Sequence, residues 1–220
     1  MAKRRKEDAL ETRERILDAA ITVFHKHGVA RPSLTEIAQL AGVTRGAVYG
    51  HFRNKGDLFS ALTERVQFPG EKLCESAGEE IKKDPLGVLR TRWLWLFQEV
   101  ASNRQWQLIL EIVFHRCELV TESGEIHQRL IQGHAEGVER MRELITAAVA
   151  RGQLPADLDI DVAVPMLHGA LVGVLEEWLL QPQIGDLGEL GERYIDAMID
   201  MVRFSPTLRH QGQGSTAVVH

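Results

Sequence analysis

Cysteine is almost absent from this 220-residue chain, which holds only Cys74 and Cys117. Two thiols build no disulfide framework; they fit a reducing cytoplasm and read as buried structural groups. No apolar stretch follows the basic start MAKRRKED, which argues against a secretory signal. Long hydrophobic runs are missing too. The longest, Val162–Leu180, is interrupted by Pro165, His168 and Glu176-Glu177, so no membrane partner is expected. Strand-like alternation and internal repeats are lacking, which leaves helical periodicity and an all-α fold.

Catalytic signatures are equally scarce. The chain has no nucleophile elbow, P-loop or dinucleotide fingerprint. Glu111, His115 and Glu118 stand at i, i+4 and i+7, on one face of a helix. A carboxylate-bridged metal pair would need repeated Glu-x-x-His motifs on separate helices, and there are none. The trio reads as an intrahelical ion pair. No catalytic residue, metal or cofactor is expected, and the chain is read as no enzyme.

What is present begins with charge asymmetry. Net charge is −5, which alone argues against a nucleic-acid partner. Residues 1–68, however, carry 12 Lys/Arg against 8 Asp/Glu, while residues 69–220 carry 14 against 23. A basic head on an acidic body implies that only the head meets DNA.

Within the head, Ser33–Phe59 is the most informative stretch. Ser33 and Glu36 have the spacing of a capping box. Leu34, Ile37 and Ala38 form an apolar stripe, and Gly42 suits a left-handed helix stop. Thr44 then caps a very short helix carrying Arg45 to Tyr49, and Asn54 caps a third. Ala38, Gly42 and Val48 fit a helix-turn-helix: a small residue at the crossing, a glycine in the turn, an aliphatic beneath the second helix. Val48 and Phe52 anchor that helix, leaving Thr44, Arg45, Gly46, Tyr49 and His51 facing out. Arginine can pair with a guanine edge, Tyr and His can donate to phosphate, and glycine allows close approach. Lys55, in the first turn of the third helix, adds a cation where a helix N-terminus already attracts phosphate.

This stretch resembles the DNA-binding domain of TetR-family transcriptional regulators. The matching residues are Ile37-Ala38, Ala41-Gly42-Val43-Thr44-Arg45-Gly46, Tyr49, His51-Phe52, Asn54-Lys55 and Asp57-Leu58. Relatives often carry a hydroxyl at the Pro32 position to touch phosphate. Proline cannot do that, so the resemblance carries this role only to Ser33.

Residues 8–28 read as the helix behind the motif. Residues 1–7 read as a basic arm, unstructured when free, either reaching a groove or merely frayed. The helix starting after Asn54 is expected to continue through Leu62 and Val66 towards Ile81, linking head to body. Further helices are expected over 86–102, 104–120, 123–151, 160–180 and 187–204, about nine in all. The helix over 160–180 is apolar nearly all round, so one side needs a partner. Gly169 and Gly173, four apart, allow close approach. With Trp178, Tyr194, Ile195, Met198 and Met201, these form half of an expected four-helix homodimer interface. The division expected is a DNA-binding domain over 1–54, a ligand-binding and dimerisation domain over 55–204, and a partly disordered tail over 205–220.

The body resembles the C-terminal domain of AcrR-like repressors of multidrug efflux pumps within the TetR family. The residues concerned are Glu111-Ile112, His115-Arg116-Cys117-Glu118, Gly152-Gln153-Leu154-Pro155, Gly173, Trp178-Leu179 and Ser205-Pro206-Thr207-Leu208-Arg209. The resemblance implies a dimer on a palindromic double-stranded operator and a hydrophobic pocket whose small-molecule inducer releases DNA. Apolar and aromatic lining chemistry nominates Leu62, Val66, Trp93, Leu96, Phe97, Leu110, Phe114, Val172 and Glu176. Leu110, Phe114, Val172 and Glu176 fall where relatives contact ligand. Two apolar positions and one acidic one favour neutral or cationic ligands. Two other readings stay open: the same fold sensing a metabolite such as an acyl thioester, and a DNA-binding protein without an inducer.

Overall fold

Helix-forming Lys, Arg, Glu and Ala dominate the first residues, and α1 begins at Ala2 and runs to His27. The unstructured arm expected over residues 1–7 is therefore helical from residue 2. The computed structural model describes the backbone of residues 2–66, 79–117 and 124–210, and their side chains from residue 7 onward. Helices α2 (Leu34–Leu40), α3 (Arg45–His51) and α4 (Lys55–Thr63) follow α1. Then come α5 (Pro85–Ser102), α6 (Arg104–His115), α7 (Gly124–Ala150), α8 (Ile160–Leu180) and α9 (Leu187–Phe204). Residues 79–83 are helical as well. Among the described residues the only β feature is one isolated bridge, Leu158 to Arg209.

The chain forms two compact units. One comprises residues 1–68 with 99–134, the other 69–98 with 135–220, so the division falls within α5 and α7.

In the first unit Ile16, Leu17, Ala20 and Phe24 of α1 are buried with Ile37 and Ala38 of α2, Val48 and Phe52, and Leu58, Phe59 and Leu62 of α4. Ile109 and Ile112 of α6 complete this core. Helix α4 is shorter than expected. It ends at Thr63 in a 3-10 turn, Glu64–Val66. There Arg65 bonds Asp18 at 2.7 Å and also pairs with Glu14, fixing the turn to α1. The expected continuation over 67–78, with Pro69-Gly70, Leu73, Cys74 and Ala77, lies outside the described residues. Helix α6 stops at His115 rather than near residue 120. Glu118 also lies outside the described residues, and Glu111 pairs with His25 at 2.5 Å and with Arg104 at 3.0 Å. Cys117 is half-buried, and desolvation pushes its thiol pKa up to about 12, which leaves it inert.

The second unit buries Leu89, Trp93 and Phe97 of α5, Met141, Leu144, Ile145 and Ala148 of α7, and apolar residues of α8 and α9. Asp84 caps α5 through the Gly87 N–H at 2.9 Å, and Gln153 bonds both Asp84 and the Leu86 N–H. Arg90 ties α5 to α9 by bonding Asp196 at 2.7 Å and Glu192 at 2.6 Å. Residues 205–210, expected in the tail, are docked. Leu208 is buried, its carbonyl accepts from Asp159 N–H at 2.9 Å, and Arg209 bonds the Arg203 carbonyl at 2.6 Å. Among the described residues α8 alone is long and apolar enough to cross a membrane, a test that buried core helices of soluble proteins also pass.

Gly191 of α9 lies against the ring of Phe97, where an added Cβ would come within 2.6 Å of Cδ2. Phe97 is fully buried and has nowhere to move. Gly191→Ala is expected to cost about 1–3 kcal/mol, read as a lower denaturant midpoint at unchanged slope.

Candidate nucleic-acid interface

Three helix starts build the exposed face of the first unit. At α2 the capping box is complete: Ser33 Oγ accepts from Glu36 N–H at 3.3 Å, and Ser33 N–H donates to the Glu36 carboxylate at 2.6 Å. These Ser33 bonds hold the Glu36 carboxyl below its ordinary pKa. Gly42 takes φ +64° in the turn, as its type allows. Thr44 caps α3 through Ala47 N–H at 3.1 Å, and Asn54 caps α4 through Asp57 N–H at 2.8 Å.

Helix α3 has seven residues, of which Val48 alone is buried. Thr44, Arg45, Gly46 and Tyr49 are exposed as expected, with Tyr49 at 47%. The Arg45 guanidinium lies over the Tyr49 ring, 5.3 Å from its centre, so the two long side chains are already ordered against each other. His51 departs from the expectation. It is half-buried beside Phe52, with the two ring centres 6.3 Å apart.

Glycine is the least expected residue of α3. Each glycine weakens a helix by about 1 kcal/mol relative to alanine. A Cβ on Gly46 would meet nothing nearer than Thr44 Oγ1 at 3.9 Å, and one on Gly50 would meet nothing within 4 Å. Neither position has positive φ. Internal packing therefore requires neither glycine, and close approach of an outside surface is a sufficient reason for both. Gly50 is not among the residues the sequence nominates, although glycine inside so short a helix is an available signal.

Lys55 is committed differently from the expectation. Its ammonium donates to the carbonyls of Ala30 and, at 3.2 Å, Pro32, and partial burial lowers its pKa. It closes α4 onto the loop before α2. The sequence reading also missed the cations that hold the motif from behind. Arg15 of α1 donates to the carbonyl of Ala41 at 2.6 Å, capping α2 from outside, and Arg13 lies 5.4 Å from the centre of the Phe52 ring. These partners are 26 or more residues away, beyond any local pattern.

A short, capped, half-exposed helix over a three-helix core, presenting Arg, Tyr and small residues, is a DNA-reading head. The family profile of bacterial regulatory proteins of the tetR family matches residues 16–62, from the middle of α1 almost to the end of α4. The profile of the C-terminal region of MAATS-type transcriptional repressors matches residues 84–204. The chain belongs to the TetR family. It is a transcriptional regulator with a DNA-binding helix-turn-helix. It is 39% identical over 209 residues to the HTH-type transcriptional regulator TtgR of Pseudomonas putida, covering 95% of this chain and 100% of that one. Its structure is similar to that of NalD, described as the secondary repressor of the MexAB-OprM multidrug efflux pump in Pseudomonas aeruginosa. There the TM-score is 0.79 at 32% identity, over 90% of this chain and 99% of that one. The SmeT–triclosan complex gives 0.74 at 30% identity, over 91% and 96%.

The candidate ligand contacts of this TetR-family chain divide between the two units. In the first, Leu62 is fully buried in the core, while Val66, Leu110 and Phe114 are half-buried. In the second, Phe97 is fully buried and Trp93 nearly so at 4%, while Leu96, Val172 and Glu176 are half-buried. Leu62 and Phe97 show no surface to a ligand, since neighbouring side chains already enclose them. Among the described residues no group of three or more His, Cys, Asp or Glu could hold a metal.

Because Gly46 and Gly50 serve no internal contact, Gly46→Ala is expected to leave thermal stability equal or higher while weakening DNA binding at least tenfold. Arg45→Ala is expected to leave stability unchanged and to cost about 1–3 kcal/mol of discrimination at one base position. Melting curves and binding to a randomised duplex pool check both.

Proposed function

We propose that the protein is a homodimeric repressor of a multidrug efflux pump, bound to a pseudo-palindromic operator and released by hydrophobic drug-like or aromatic ligands. The observation that carries this reading is full-length similarity, head and body together, to repressors of such pumps. DNA work assigns the protein to the cytoplasm. Thr44, Arg45, Gly46 and Tyr49 face the major groove. Ser33, His51 and Lys55 are supporting residues, with Lys55 acting mainly by fixing the loop before α2.

A stripe along α8 supports dimerisation. Val162, Pro165, Gly169, Gly173 and Leu180 recur at helical spacing and are exposed in the single chain, Val162 at 50% and Leu180 at 58%. Met201 and Phe204 of α9 also keep accessible surface. Such a face is covered when a second copy applies the same face about a twofold axis. Tyr194 and Trp178, both half-buried, border this proposal. Trp178 is anchored by its Nε1–H to the Gly185 carbonyl at 2.9 Å. Ile195 and Met198, nominated for the interface, are buried inside the protomer, so their side chains are removed from it.

A twofold dimer sets its recognition helices about one DNA turn, or a multiple, apart. Ligand lowers operator affinity only by favouring the form that does not bind DNA. A hundredfold loss corresponds to about 2.7 kcal/mol of coupling, and operator weakens ligand binding by the same factor. Of the nominated ligand contacts, Val66, Leu110 and Phe114 of the first unit, and separately Leu96, Val172 and Glu176 of the second, keep accessible surface.

A Cβ on Gly173 would meet nothing within 4 Å, so Gly173→Leu leaves the protomer's own packing intact. It is expected to sediment as a folded monomer and to lose operator binding; an intact dimer would place the interface elsewhere. Genomic fragment selection should return a palindrome beside pump genes. Hydrophobic drugs, rather than acyl thioesters, should raise the melting temperature and release that fragment.

A further inference from the structure

Beside the helix-turn-helix, the first unit gathers a second set of cations. An open pocket of about 410 Å³ is lined by Lys26 and His27 of the last α1 turn, Arg31 and Pro32 of the loop, Glu36 of α2, and Arg116 after α6, among others. Two stretches distant in sequence, 26–36 and 115–116, meet there. The Val29 N–H holds them together by donating to the Arg116 carbonyl at 3.1 Å. Lys26, Arg31 and Arg116 are exposed, and their side chains make no hydrogen bond or ion pair among the described residues. Glu36, the pocket's carboxylate, is held in the Ser33 capping box.

Cations are favoured near helix C-termini, and Lys26 and Arg116 stand at such ends. That effect is weak at exposed sites, and it accounts neither for Arg31 nor for the convergence of all three on one pocket. Like charges brought together are relieved by an anion with several acceptor oxygens. In a helix-turn-helix the first helix crosses the DNA backbone. Here that helix is α2, and its first turn forms one wall of the pocket. Backbone phosphates are thus the anions nearest to hand.

We propose that Lys26, Arg31 and Arg116 form a phosphate-binding patch gripping the operator backbone outside the groove read by α3. Arg116 lies outside residues 16–62, so the DNA contact recruits a residue from beyond the matched helix-turn-helix segment. The patch rests on the operator-binding reading. A free phosphorylated compound offers the same chemistry, and the experiment separates the two sources.

The full chain, Arg31→Gln, Arg116→Gln and the double variant are titrated with the selected operator between about 50 and 200 mM salt. Each substitution removes one contact from each protomer of the dimer and is expected to lower the slope of log affinity against log salt by about 1.8, or about 0.9 per phosphate, equally on operator and random duplex, with unchanged melting temperature. Arg116→Lys should restore most of the slope. In a second arm, inorganic pyrophosphate is added in melting experiments. Stabilisation of the wild type but not of the double variant, with coincident salt slopes, would retain the phosphate site and assign it to a free compound. Folded variants with wild-type slopes and no pyrophosphate effect would overturn the patch. A wild type that binds no operator would instead overturn the reading beneath it.

Discussion

The first unit depends on how a seven-residue helix is kept folded without using its outer face. So short a helix has no stability of its own, and α3 carries two glycines besides. What holds it comes from elsewhere. Val48 and Phe52 are buried in the core formed with α1, α2 and α4. Thr44 and Asn54 cap the helices on either side of the loop, and Arg15 bonds the end of α2 from α1. With stability supplied from beneath, residues such as Arg45, Gly46 and Tyr49 are left free for the proposed DNA contacts.

The same economy runs through the loop before α2. Lys55 reaches back to its carbonyls, Glu36 is held by Ser33, and the pairing of Arg65 with Glu14 and Asp18 fixes the turn after α4 to α1. His25 and Glu111 join α1 to α6. Each is a polar tie at the margin of an apolar core. Together they set the geometry of the reading face, while the core supplies most of the stability. The second unit shows the complementary pattern. Its interior is consumed by α5, α7, α8 and α9, yet α8 keeps an outward stripe of valine, glycine and leucine. In the proposed dimer that stripe is the surface left for a second copy.

Much of this could be read in advance. The limits of α2 and α3, the start of α4, and the bounds of α5, α8 and α9 agree with the reading to within a residue or so, because caps, glycine stops and helical periodicity act over a few residues. The failures are of two kinds. Helix propensity was underestimated at residues 2–7 and overestimated beyond His115. The docking of Leu208 was invisible in a stretch whose composition is that of a tail.

The sequence by itself determined the helical class, the capped helix-turn-helix and the asymmetry between a basic head and an acidic body, since each is a local or additive property of the residues. Tertiary structure decided which side chains remained available. It spent Lys55 on carbonyls 23 and 25 residues away, enclosed Leu62, Phe97 and Ile195, and turned His51 half inward. It also brought Arg116 beside Lys26 and Arg31. Such outcomes depend on groups far apart along the chain, and no short-range pattern encodes which of them will meet.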